Sequence, residues 1–221
     1  MTWLPVPTDG RAERDTVLGL KAEPYDVTRR VLLAAWNMTE PGLLEICRVR
    51  LAQLTGARAE LDGADEGLLA ALDDWRSSDR FTKRERVVLD YAEQYHYDHH
   101  TLSDAQRDAL AGELSQREVI DFTWALHMND AYVRIMSLLD IAPDPPGAPP
   151  RIERTPPTRS HKRPFSPVAE REGVRARELR DAAFTAVLNE LNPVVVRQDL
   201  IDPATSEAIR LRNASYQGCV Y

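Results

Sequence analysis

The sequence predicts an all-α protein, a bundle of helices, from two positive signals and one missing pattern. Three segments have the pattern of a capping box, in which a hydroxyl residue at the N-cap is followed three positions later by Glu or Gln: Thr82 to Glu85, Ser103 to Gln106 and Ser115 to Glu118. Apolar residues after two of these starts recur with helical spacing. Runs of alternating apolar and polar residues between hairpin turns, which are typical of strands, are missing.

Two helices after these capping boxes have a recognisable core face. Apolar side chains occur at i, i+3, i+4 and i+7, the spacing that places them on one side of an α-helix. After Thr82 the set is Val88, Tyr91, Ala92 and Tyr95, and after Ser115 it is Val119, Phe122, Thr123 and Leu126. These faces are therefore expected to pack into the interior.

An earlier helix is expected between Pro41 and Gly56, with Glu45, Arg48 and Arg50 along it. Its core-facing set has the spacing i, i+3, i+7, i+10. The residues are Leu44, Cys47, Leu51 and Leu54. For Cys47 this predicts a small buried apolar side chain rather than a reactive thiol.

Proline divides the chain. Residues 142–167 contain nine of its fifteen prolines, which disfavour regular structure, so we expect a linker there. It separates a domain at residues 1–141 from a segment at residues 168–221. After the linker, Ser166-Pro167 predicts the start of a charged helix reaching about Leu191, and Asp202-Pro203 predicts the start of another.

The composition excludes several classes of function. The formal charge of −7 disfavours binding to nucleic acid, and no apolar run has the length of a membrane span. The N-terminus lacks the features of a secretory signal, so we expect a cytoplasmic protein. The two cysteines, Cys47 and Cys219, are too far apart in sequence to suggest a metal site or a disulfide framework. We predict neither a metal nor a cofactor.

An internal repeat relates residues 40–57 to a segment 162 positions later. Six identities occur in phase without a gap: Pro41 and Pro203, Glu45 and Glu207, Arg48 and Arg210, Arg50 and Arg212, Ala52 and Ala214, and Gly56 and Gly218. They include proline, glycine, glutamate and two arginines, which indicates a duplication.

Both repeats resemble the helix that leads into the active-site motif of the alkylhydroperoxidase D/carboxymuconolactone decarboxylase superfamily. That family has a glutamate, eleven intervening residues, a Cys-x-x-Cys pair and a histidine one turn later. Cys219 follows Glu207 at the same interval. The segments at 75–78, 81–86 and 129–141 also resemble those that follow the motif. The resemblance covers residues 25–141 as a first copy and residues 180–221 as the opening of a second.

The resemblance implies thiol-dependent peroxidase or disulfide-redox chemistry in the second copy, with Cys219 as the nucleophile and Glu207 as its base. The cysteine positions of the first copy hold Ala57 and Glu60, so that copy is expected to be a scaffold without thiol chemistry. A small-molecule substrate and a homo-oligomer are expected. The motif is interrupted before its second cysteine, so a companion polypeptide is expected to complete the second copy.

Two alternatives remain open. The first is a cysteine-independent lyase of the carboxymuconolactone decarboxylase type, in which Glu45 is the general base. For Glu45 itself, a structural ion pair with Arg48 or Arg50 is also an open role. The second alternative is a non-catalytic assembly protein that keeps the helical core.

Histidines concentrate in one run, residues 93–100. His96 and His100 have the i, i+4 spacing of a metal pair, but residues 98–103 are typical of a loop before the next capping box, which favours a site without metal. His127 lies on an apolar face between Leu126 and Met128, and a core or interface role is expected for it.

Overall fold

A computed structural model of the chain describes residues 1–6, 11–144, 181–196 and 202–216, and these contain helices and no strand. The α-helices are α1 (Glu13–Leu18), α2 (Ala22–Met38), α3 (Pro41–Thr55), α4 (Arg58–Leu61), α5 (Glu66–Asp73), α6 (Lys83–Asp98), α7 (Asp104–Glu113), α8 (Gln116–Leu138), α9 (Ala182–Val196) and α10 (Pro203–Tyr216). Gly19–Lys21 and His99–Thr101 form 3₁₀ turns. The all-α prediction is confirmed for these residues.

All three predicted capping boxes are present. Thr82, Ser103 and Ser115 each accept a hydrogen bond from the backbone amide three residues later, and the Glu or Gln at that position accepts from the N-cap amide in return. These bonds satisfy amides that have no partner within the helix. They fix the starts of α6, α7 and α8.

Replacing Ser115 with alanine removes the acceptor at the start of α8 and is expected to lower the free energy of unfolding by about 1 kcal/mol. Urea unfolding followed by circular dichroism measures this change. Ser115→Thr keeps the hydroxyl and is the matched control, expected to stay close to the wild type. An alanine variant as stable as the threonine variant would contradict the role given to the cap.

Helix α3 lies at the centre of the fold and packs against α6 and α8. It begins with Pro41 and ends at Gly56, whose φ of 70° is the left-handed conformation that glycine adopts without strain. Leu44, Cys47 and Leu51 are fully buried, as predicted, while Leu54 is partly buried.

Helix α9 completes the core on the other side by packing against α2. Asp181 caps it, accepting from the amides of Ala183 at 3.0 Å and Phe184 at 3.1 Å. Phe184 is fully buried, and its ring centroid is 6.1 Å from that of Trp124. A residue from beyond the predicted linker therefore belongs to the same core as the helices before it.

Some predicted boundaries differ or lie outside the described residues. Helix α9 continues past the expected end at Leu191 to Val196, and Pro193 is inside it. The predicted single helix from Ser166-Pro167 is wrong, because Asp181 is not helical and caps a helix that begins at Ala182. Ser166-Pro167 itself and nearly all of the linker at residues 142–167 lie outside the described residues. Helix α10 begins at Pro203 as predicted, capped by Asp202, which accepts from the Thr205 amide at 2.9 Å.

Among the described helices, none combines the length and apolar character needed to cross a membrane.

Candidate active site

The thiol position of the first repeat, defined as residues 57 and 60, lies where α3 turns into α4. Ala57 is buried, and the Glu60 side chain has no solvent exposure. Arg48 on α3 reaches it: its Nη1 is 3.1 Å from Glu60 Oε2 and donates to the Glu60 carbonyl oxygen at 2.6 Å. A buried ion pair therefore occupies the place that the resemblance assigns to two thiols.

Arg48 also binds Glu45 in a bidentate arrangement. Its Nε is 2.8 Å from Oε2 and its Nη2 is 2.9 Å from Oε1 of Glu45. Both oxygens of Glu45 thus accept from one guanidinium, and the ion-pair alternative for this residue is confirmed. Arg50 takes a different partner and donates from Nε to Glu93 at 2.6 Å. A carboxylate held by two hydrogen bonds is a weaker proton acceptor, which counts against Glu45 as a general base.

Cys47 is a buried residue of α3. Its side chain has no exposure, and its thiol donates to the carbonyl oxygen of Val88 at 3.6 Å. Burial raises the pKa of the Cys47 thiol well above its usual range, with a further contribution from the charge of Glu93. The thiolate is the reactive form of cysteine, so Cys47 is an inert core residue, as predicted.

Glu207 lies on α10, and its side chain is half exposed. Arg210 donates to it from Nε at 2.8 Å, and a second contact joins Nη2 to Oε1. These hydrogen bonds lower the pKa of Glu207. The pair repeats the i, i+3 pairing of Glu45 with Arg48 on α3. Cys219 lies outside the described residues, so its distance from Glu207 stays a prediction.

An open cleft of about 870 Å³ lies between the end of α6 and the middle of α8, with Asn213 of α10 on its edge. We call it the histidine cleft, because four of the five histidines of the chain line it. They are His96, His99, His100 and His127. The other lining residues are Tyr95, Tyr97, Asp98, Asp130, Ala131 and Arg134.

Two side-chain contacts at matched positions join α6 and α8, and the second of them lies in the cleft. The Tyr91 hydroxyl is 3.0 Å from Thr123 Oγ1, and one turn later the Tyr95 hydroxyl is 2.7 Å from Nδ1 of His127. Both pairs have a sequence separation of 32, so the contacting stretches of α6 and α8 run in the same direction. His127 is therefore an exposed cleft residue and not a core residue, and the interface role that was the other expectation for it stays a prediction.

His96 is held by a buried carboxylate. Its Nδ1 is 2.5 Å from Oδ1 of Asp130, and Arg134 donates from Nε to the other oxygen of Asp130 at 2.8 Å. Burial raises the pKa of Asp130, but the hydrogen bonds from His96 and Arg134 outweigh that effect and lower it overall. Asp130 is thus an anion that orients the imidazole.

The contacts of Nδ1 indicate where the His96 ring carries its proton. Arg134 Nη2 lies 3.0 Å from Nδ1 and would favour a lone pair there, but the closer neighbour is the Asp130 oxygen at 2.5 Å. Two facing acceptors at 2.5 Å repel each other, so Nδ1 carries the proton and donates it to Asp130. Nε2 is then the other ring nitrogen, the one free of these contacts.

Helix α6 was expected to stop before Asp98, but it includes Asp98, and the supposed loop begins with a 3₁₀ turn. The Asp98 side chain accepts from the His100 amide at 3.0 Å, which closes that turn.

Within the described residues, no group of three or more His, Cys, Asp or Glu side chains is arranged to hold a metal ion.

Comparison with known proteins adds a relative without an assigned activity. No family model matches the chain. The chain is similar to the uncharacterized protein YnjA of Escherichia coli K12, with 31% identity over 122 residues. The match covers 55% of this chain and 64% of YnjA, so it spans less than two thirds of that relative.

Proposed function

We propose that the chain belongs to the alkylhydroperoxidase D/carboxymuconolactone decarboxylase superfamily and acts as a thiol-dependent peroxidase or disulfide-redox enzyme. Its chemistry lies at Cys219 in the second repeat, and the first repeat is a scaffold. The ion pair of Arg48 and Glu60 supports the scaffold role, because no nucleophile lies at that thiol position. A reducing compartment such as the cytoplasm suits an enzyme that uses a free thiol.

One observation carries the proposal. Helices α3 and α10 each begin at the proline of the repeat, and each has the same Glu–Arg pair one turn further on. The helix that precedes Cys219 is thus built like the helix that precedes the thiol position of the first repeat. This likeness supports Glu207 and Cys219 as the counterparts of the glutamate and first cysteine of the family motif.

The proposed reaction begins with the Cys219 thiolate. It attacks one oxygen of a small hydroperoxide, the O–O bond breaks, and the products are cysteine sulfenic acid and, after protonation, an alcohol or water. A dithiol then reduces the sulfenic acid to the thiol with release of water and becomes a disulfide. Because Arg210 lowers the pKa of Glu207, proton removal from Cys219 requires that this pair opens or that water relays the proton.

Other chains cover α10 in this proposal. A companion polypeptide packs on it, within a homo-oligomer. The support is the exposure of two apolar side chains on α10, Ile209 at 58% and Leu211 at 53%. Positions i and i+2 lie on opposite sides of a helix, so α10 exposes apolar groups on both sides, as expected for a helix that other elements surround.

Thiol reactivity of the full chain tests the proposal. Ellman's reagent should modify one thiol rapidly in the native protein and the second only after denaturation, because Cys47 is buried. With cumene hydroperoxide and dithiothreitol, Cys219→Ser should lose turnover. Cys47→Ala is the matched control and should keep it, because Cys47 is inert. Equal turnover in wild type and Cys219→Ser, or none in wild type, would overturn the proposal.

A further inference from the structure

We propose that the histidine cleft is a second, cysteine-independent active site, in which His96 is the general base for proton transfer next to the carbonyl group of a small molecule. The reacting groups of the cleft belong to the first repeat, α10 contributes Asn213 to its edge, and the proposed chemistry uses neither cysteine. It is therefore separate from the thiol chemistry proposed above, and the two proposals succeed or fail independently.

The pairing of His96 with Asp130 gives the base its orientation. With the Nδ1–H bonded to Asp130, Nε2 is the ring nitrogen that can accept a proton. When Nε2 takes a proton, the ring becomes a cation whose charge lies against the Asp130 anion. Asp130 is a positioning residue in this scheme, and Arg134 holds its second oxygen at 2.8 Å.

His127 gives the complementary donor. Tyr95 contacts its Nδ1 at 2.7 Å, and desolvation followed by the nearby charge of Asp130 raises the pKa of Tyr95 to about 12. Tyr95 therefore keeps its proton at neutral pH and can donate it to Nδ1. Partial desolvation lowers the pKa of His127, although the residue is exposed to the cleft, and this favours the neutral ring with its proton on Nε2. A neutral N–H is suited to a carbonyl oxygen that gains negative charge.

These two groups are sufficient for a balanced reaction. Nε2 of His96 removes a proton from the carbon next to the carbonyl, and the electron pair of the broken C–H bond forms the enolate. The enolate oxygen accepts a hydrogen bond from His127. Return of the proton to the same carbon, or to another carbon of the conjugated system, regenerates the neutral His96. No oxidant, reductant or other co-reactant is consumed.

The size and walls of the cleft indicate the class of substrate. A volume of about 870 Å³ is in the range of pockets that hold small organic molecules. The rings of Tyr95 and His99, whose centroids are 6.1 Å apart, form part of the wall. Among the described residues that line the cleft, the one arginine is Arg134, and its charge is paired with that of Asp130. A small, uncharged or singly charged ketone or lactone fits this environment.

Hydrogen exchange on carbon is the direct test. The full chain is incubated in deuterium oxide with acetone, cyclohexanone, γ-butyrolactone or pyruvate, and loss of the α-proton signal is followed by proton NMR. We expect protein-dependent exchange with at least one of these probes. His96→Asn keeps an N–H donor for Asp130 but removes the base, and should reduce the rate by roughly 100-fold or more. Circular dichroism verifies that the variant is folded.

Two further measurements separate catalysis from a structural role. Added imidazole should restore part of the exchange in His96→Gly, because it supplies the missing base. Asp130→Asn should lower the maximal rate without changing the half-saturating probe concentration, as expected for a positioning residue. No exchange with any probe, full exchange in His96→Asn, or a folded His96→Gly that imidazole does not rescue would each overturn the proposal.

Discussion

Arg48→Met is expected to lower the free energy of unfolding by about 3–5 kcal/mol, because it removes the cation that pairs with a fully buried carboxylate. The Glu60 side chain has no solvent exposure, so water cannot replace the guanidinium unless the structure opens. The Glu60 carbonyl oxygen loses a donor at 2.6 Å at the same time. Glu45, with a side chain 30% exposed, can be hydrated and is expected to contribute little to the loss.

The double variant Arg48→Met/Glu60→Leu is the matched control, since it removes both charges. It should recover most of the loss and remain about 1–2 kcal/mol below the wild type, because the residue 60 carbonyl still lacks its donor. Urea unfolding of both variants followed by circular dichroism measures the difference. If the double variant is as unstable as Arg48→Met, the penalty comes from lost packing of the arginine stem, and the ion pair is not its cause.

Local features of this fold were predictable from the sequence because their determinants are local. The capping boxes at Thr82, Ser103 and Ser115 each depend on side chains within four residues, and all three are present. The α3 face with Leu44 and Cys47 follows from helical spacing alone and is buried as expected. The linker and the site at Cys219 lie outside the described residues and stay predictions.

Pairings between distant residues were not predictable in the same way. Arg48 and Arg50 both had a local partner available in Glu45, yet Arg50 binds Glu93, which is 43 positions later in the chain. The direction of each side chain on α3 decides this, because Arg50 points toward α6. His96 and Asp130 likewise lie on different helices, 34 positions apart. The sequence signal for the histidine cleft was the run of histidines at the end of α6. The carboxylate that orients His96, that of Asp130, comes from α8.

Three donors converge on Glu93, which makes it the second residue where a single change has a large expected effect. Arg50 Nε donates to Oε1 at 2.6 Å, and Trp75 Nε1 donates to the same oxygen at 2.9 Å. Arg76 binds Oε2 at 2.9 Å, and its guanidinium also lies 4.1 Å from the centroid of the Trp75 ring. The cluster joins α3, the segment after α5, and α6 around one side chain that is only 9% exposed.

Glu93→Gln should therefore lower the free energy of unfolding at pH 7 by about 2–4 kcal/mol, since it leaves the partly buried Arg50 without its main anion. Asp90→Asn, on the same helix and also paired with Arg76 but more exposed, is the matched control and should cost less than about 1 kcal/mol. Urea unfolding at pH 7 measures both losses. Comparable losses in the two variants would contradict the role given to burial.

The pH dependence of this loss gives a further check of the same pair of variants. Burial raises the pKa of Glu93, but the bonds from Trp75, Arg50 and Arg76 outweigh it and lower the pKa in the folded state. A carboxylate whose pKa is lowered by folding contributes stability above its unfolded pKa and loses it as the pH falls through the folded value. The gap between wild type and Glu93→Gln, measured by urea unfolding, should thus be constant from pH 7 to about pH 5 and narrow below about pH 4. A gap that widens on acidification would mean that Glu93 is protonated in the native protein, so that burial and not the three donors controls its charge.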